Sequence, residues 1–163
     1  MVCRVEVEAA VPNGVAADVY LRVRSFEEYS KHTEAVRSVD VTSYHGNILI
    51  SDWSVNFRGG VLQWTERDEF DDARRHIYFE QTEGDFVEFT GTWLVTDHDS
   101  AVRVKFSAEF DMGIPTLEPI INPVAMRALK DNIGRILRGL LGEQIELTST
   151  CLDLAVQTGV ASG

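Results

Sequence analysis

Between Asn47 and about Met112 the chain reads as one strand after another, and beyond that point the period of its apolar residues changes. No other feature constrains the fold as strongly. Asn47 to Phe57 ends at Arg58-Gly59-Gly60, a hairpin signal. Val61 to Phe70 follows and turns at Asp71-Asp72-Ala73, and Arg74 to Thr82 turns at Glu83-Gly84-Asp85. Phe86 to Thr96 and Ala101 to Asp111 are joined by Asp97-His98-Asp99-Ser100. Strands at this spacing, linked by tight turns, predict an antiparallel meander.

The segments on either side complete the pattern. Cys3 to Val11 alternates, with Val5, Val7 and Ala9 on one side and Arg4, Glu6 and Glu8 on the other, which predicts a half-buried strand. Pro12-Asn13-Gly14 breaks it, with Asn13 available to cap a short helix over Val15 to Val23. A second helical turn runs from Ser25 through Phe26 and Tyr29, ahead of a strand from Val36 to Tyr44. After the meander, Asn122-Pro123 has the form of a helix start. Met126, Leu129, Ile133, Ile136, Leu137 and Leu140 then recur at helical steps as one apolar face. Gly139 and Gly142 weaken the later turns, and a frayed tail is expected over 151–163, leaving 1–150 as a single domain.

The implied class is α+β: a curved antiparallel sheet of six to seven strands around a long C-terminal helix, with two short helices after the first strand. One helix covers only part of such a sheet. The uncovered remainder becomes a cavity, with the short helices as its lid.

Charge narrows the partners. Asp and Glu outnumber Lys and Arg 26 to 15, a net charge of -11, which argues against nucleic acid and against an anionic membrane surface. The two cysteines, Cys3 and Cys151, make no disulfide framework or zinc spacing, and a reduced, cytoplasmic protein is expected. The N-terminus lacks an apolar run of signal-peptide length, and no run approaches a membrane span, so no membrane insertion is expected.

The element order, and the segments Phe26-Glu-Glu-Tyr29, Phe57-Arg-Gly-Gly-Val-Leu-Gln-Trp64, Gly84-Asp-Phe-Val-Glu-Phe-Thr-Gly-Thr-Trp93 and Phe110-Asp-Met112, resemble the START and Bet v 1-like helix-grip superfamily over roughly Val5 to Leu140. Within it the chain is similar to the polyketide aromatase/cyclases and their ubiquinone-binding relatives. The resemblance implies a pocket walled by Trp64, Phe89 and Trp93, with Tyr29, Trp53 and Phe57 as further ligand contacts. It also implies a cyclase that folds a poly-β-ketone, of the kind an acyl carrier protein presents, for aldol cyclisation and dehydration, without a cofactor and as monomer or homodimer. A carrier for a quinone or lipid is the alternative reading, and a partner-binding module a third. One departure stands out: where the aromatase/cyclases have a pocket arginine, this sequence has Asp68.

Alternation between Val61 and Phe70 puts Leu62, Trp64, Glu66, Asp68 and Phe70 on one face. If that face is the pocket, Glu66 and Asp68 repel in a poorly solvated space and one keeps its proton near neutral pH, an acid and a base for aldol chemistry. If that end lies at the rim, both are merely solvated. Gln81 and His32 complete the candidate proton handlers. The strand from Arg74 to Thr82 has two registers: Ile77, Phe79 and Gln81 inward, or His76, Tyr78 and Glu80 inward. None of the four histidines has a metal-site spacing, so no metal is expected.

Overall fold

The computed structural model describes residues 2–154. Its strands are β1 (Cys3–Pro12), β2 (Val36–His45), β3 (Ile48–Phe57), β4 (Gly60–Asp71), β5 (His76–Gly84), β6 (Glu88–His98), β7 (Ala101–Asp111) and β8 (Glu146–Asp153). They form one eight-stranded antiparallel sheet in the order β2-β3-β4-β5-β6-β7-β1-β8. Helix α1 (Ala16–Val23) and a 3-10 turn (Phe26–Lys31) follow β1, and α2 (Glu118–Leu141) lies across the sheet. This is the helix-grip fold.

The local chemistry behaves as the sequence suggests at most joints. Arg58 and Gly59 both adopt positive φ, at 50° and 77°, so the β3–β4 turn follows the right-handed twist of its strands. A register shift between Thr65 and Glu66 leaves Thr82 of β5 extra, a bulge of the kind that adds local bend and twist to a sheet. In α2, Met126, Ile133, Ile136, Leu137 and Leu140 are buried, the apolar face read from the spacing.

Three details differ from the sequence reading. The sheet has eight strands, not six or seven, because Glu146 to Asp153 pairs with β1 from Ala10 to Cys3. That strand takes in Cys151 to Asp153, the start of the expected frayed tail; residues 155–163 of that tail lie outside the described residues. Helix α2 starts at Glu118-Pro119, one turn earlier than Asn122-Pro123. Asn122 sits inside the helix, buried, and its amide donates to Asp153 at 3.2 Å. Asn13 caps nothing: it takes φ 58° in the turn, and Val15 occupies the cap position of α1. Among the described residues, no helix is long and apolar enough to cross a membrane.

Candidate functional site

Between α2 and the inner face of the sheet lies a cavity of about 120 Å³. Aromatic rings make most of its wall. Trp53 and Trp64, directly opposite on β3 and β4, stack with planes 4° apart and centroids 5.7 Å apart. Trp64 meets Phe89 edge-on at 5.3 Å, Phe89 meets Phe79 at 5.5 Å, and Trp93 meets Phe106 at 4.7 Å. Tyr29 reaches in from the 3-10 turn and contacts both Trp53 and Trp93. On the facing side α2 presents Ala125 and Ala128, whose small side chains leave the space open. The open end lies where exposed Asn56 and half-buried Phe57, Met112 and Leu129 meet, between the β3–β4 hairpin and α2.

The depth of the aromatic packing depends on Gly91. It lies opposite Phe79, and a Cβ there would fall 2.3 Å from the Phe79 ring and 2.4 Å from the Ser107 carbonyl oxygen. Glycine lets the Phe79 ring lie flat against β6 rather than stand up into the cavity.

One carboxyl enters this wall. Glu66 lines the cavity and is 4% exposed; Asp68, two residues along β4, is fully buried behind it. Their burial excludes the rim alternative. Trp64 Nε1 donates to Glu66 Oε1 at 2.8 Å. On the other flank Trp53 Nε1 donates to Ser51 Oγ at 2.8 Å, and Ser51 Oγ donates to Asp68 Oδ2 at 2.7 Å. The stacked tryptophans thus hold the two acids from either side. Among the described residues, no N–H or hydroxyl donor reaches Asp68 Oδ1.

The electrostatics follow from burial. Desolvation is the largest influence holding Glu66 well above the usual carboxylate range, followed by its hydrogen bond to Asp68 and the Asp68 charge; the Trp64 bond opposes them and is the smallest. Burial raises Asp68 too, against hydrogen bonds from Glu66 and Ser51 that favour its ionised form. Both acids are pushed upward, Glu66 the more strongly, so the pair favours holding a proton between its two members.

This has a measurable consequence. A raised folded-state pKa means that the native protein binds more protons than the unfolded chain once pH exceeds the ordinary carboxylate value near 4.3. Stability from this source is complete below that value and is lost as pH rises toward the folded pKa. Melting temperatures from about pH 5 to pH 8 should fall more steeply for the wild type than for Glu66→Gln, whose amide can still bond Trp64 and Asp68. Parallel curves would mean that Glu66 is not protonated in the folded state.

The other candidates divide. Tyr29, Trp53, Phe57, Trp64, Phe89 and Trp93 all line the cavity. Tyr29 turns its hydroxyl away, donating to the Val23 carbonyl, so only its ring faces the ligand space. Gln81 does not line the cavity. Its amide donates to the Phe86 carbonyl at 2.9 Å and its oxygen accepts from the Phe86 N–H at 3.2 Å, which fixes Phe86 against Trp64. His32 is also absent from the wall: it packs on α2, its ring where a Cβ of Gly139 would be. In β5 the apolar register holds, with Ile77 and Phe79 buried and Tyr78 exposed. Phe86 and Phe110, both in the wall, are not singled out by the sequence reading; for Phe110 the signal is alternation along β7 opposite Phe89, whereas Phe86 precedes β6 and is placed by Gln81. No group of three or more His, Cys, Asp or Glu that could hold a metal occurs among the described residues.

Residues 14–136 match the family described as polyketide cyclase/dehydrase and lipid transport. The chain belongs to that family. No curated protein sequence matches it. Among solved structures, this polyketide cyclase/dehydrase relative is similar to TTHA0849 of Thermus thermophilus, with 25% identity, a TM-score of 0.76, and 84% of this chain and 93% of that chain covered. It is similar to the Zhui aromatase/cyclase of Streptomyces sp. R1128 at 18% identity and TM-score 0.67, covering 85% and 95%. A START superfamily protein of Mycobacterium smegmatis gives 15% identity and TM-score 0.68, covering 86% and 96%. The last two likenesses establish the fold alone.

Proposed function

We propose that the chain is a cofactor-independent cyclase that holds the ring-forming end of a β-polyketone in the aromatic cavity and moves protons through Glu66 and Asp68. The observation that carries this reading is the pair of buried acids, placed so that Glu66 faces the cavity and Asp68 lies behind it. A pure carrier has no need of two buried acids, which cost folding free energy.

The steps balance without an external reagent. Glu66 accepts the α-proton of the ketone while its own proton passes to Asp68, and the enolate carbon attacks a second carbonyl carbon. The resulting alkoxide takes a proton from Glu66, and Asp68 returns the shared one. Loss of a further α-proton to the pair, with protonation of the departing hydroxyl, releases water. Positioning adds its own share, since a chain held in one conformer closes faster than a free one. At about 120 Å³ the cavity takes one ring, so the rest of a longer chain extends through the opening beside Asn56 and Leu129. Delivery of that chain by an acyl carrier protein belongs to the same reading.

The test is ring closure of a synthetic linear β-triketone, followed by mass spectrometry, with wild type, Glu66→Gln and Asp68→Asn. Accelerated closure by the wild type and its loss in both variants, with ligand quenching of tryptophan fluorescence retained, supports the cyclase. Quenching without acceleration in any form supports the carrier reading instead. The predominantly aromatic wall is what favours that second reading.

A further inference from the structure

We propose that the cavity selects an uncharged single-ring phenol or enol, whose hydroxyl donates to Glu66, over its methyl ether and over an aromatic carboxylate. This rests on the reading of the cavity as the ligand site and adds the ligand's size, polarity and charge.

Size comes first. An apolar cavity of roughly 150 Å³ holds a benzene molecule, whereas pockets for larger ligands run to roughly 300–1,000 Å³. At about 120 Å³, walled by the stacked Trp53 and Trp64, this one fits a single flat ring.

Polarity follows from the carboxyl pair. Asp68 Oδ1 is buried and no N–H or hydroxyl donor among the described residues reaches it. The Glu66 proton is the donor left for it, so that proton is committed away from the ligand space. What Glu66 then presents to the cavity is lone pairs. A ligand hydroxyl can donate to them; an ether oxygen or a ketone oxygen cannot. Hydrogen bonds to a charged acceptor are roughly twice as strong as neutral ones, and here the acceptor belongs to a pair with one negative charge.

Charge gives the last element. Among the described residues, no Lys, Arg or His lines the cavity. An aromatic carboxylate entering it would lose its hydration, find no counter-ion, and meet the negative charge shared by Glu66 and Asp68.

The experiment is calorimetric or fluorescence titration of the full chain at pH 7 with phenol, anisole and benzoate. Phenol is expected to bind at least tenfold more tightly than anisole, with benzoate the weakest. In the Glu66→Gln/Asp68→Asn double variant, which keeps acceptor atoms but removes the charge, the phenol preference should shrink several-fold. Anisole binding as tightly as phenol in the wild type, or benzoate binding most tightly, would overturn the inference without needing the variant. Triketone closure without phenol selectivity also overturns it and leaves the cyclase reading standing. Phenol selectivity without closure supports it and sinks the cyclase reading.

Discussion

With Glu66 replaced by glutamine, ring closure of a bound β-triketone is expected to slow by about 10²–10⁴-fold, the usual contribution of a positioned acid–base group. Binding should weaken far less than turnover, because the amide preserves the side chain's shape and keeps an acceptor oxygen. Asp68→Asn should give a loss of similar size although Asp68 does not line the cavity. It removes the place to which the shared proton moves. The double variant should be no worse than either single one, since the two acids act as a unit and such effects are not additive. Single-turnover kinetics on the three variants check this. A double variant slowed by the full product of the two single losses would mean that the acids work independently.

Gly91→Ala should destabilise the fold strongly and close the cavity at the same time. The added carbon meets a backbone oxygen on one side, Ser107 at 2.4 Å, and the Phe79 ring on the other at 2.3 Å. The carbonyl is fixed by the β6–β7 ladder, so the ring must move, and the space beside it is the cavity. Overpacking of this kind costs about 3 kcal/mol. For a chain of this size that lowers the melting temperature by roughly 6–12 °C. The displaced Phe79 also fills ligand space, so phenol binding should be lost at temperatures where the variant remains folded. An unchanged melting point with unchanged binding would mean that Phe79 does not lie against Gly91.

The inner face of β4 was legible because period two is strict and the votes agree: Leu62, Trp64 and Phe70 are apolar, so Glu66 and Asp68 had to share their face. The same alternation settled β5 in favour of Ile77 and Phe79. Where two local signals compete, spacing alone fails. Asn122-Pro123 has the form of a helix start, yet the helix begins a turn earlier, and burial of Asn122 and its bond to Asp153 hold that residue inside it. Strand β8 carries only Leu147 and Leu152 as large apolar residues in Glu-Leu-Thr-Ser-Thr-Cys-Leu-Asp; backbone pairing to β1 holds it, and pairing leaves no apolar signature. Gln81 and His32 carry chemistry-bearing side chains but use them on Phe86 and Gly139, contacts set by the folded chain that a linear reading does not show. The size of the cavity was the least legible quantity. It depends on how the rings tilt against Gly91 and how far Ala125 and Ala128 fall short of them.

A proton shared between Glu66 and Asp68 in the folded protein is the claim on which catalysis, ligand choice and pH dependence all depend. Infrared spectroscopy at pH 7 tests it directly, through the carbonyl stretch of a protonated carboxylic acid. The wild type should show that band, shielded from rapid hydrogen–deuterium exchange by the apolar wall, and Glu66→Gln should lack it. A wild-type spectrum at pH 7 with only ionised carboxylate bands would contradict the account.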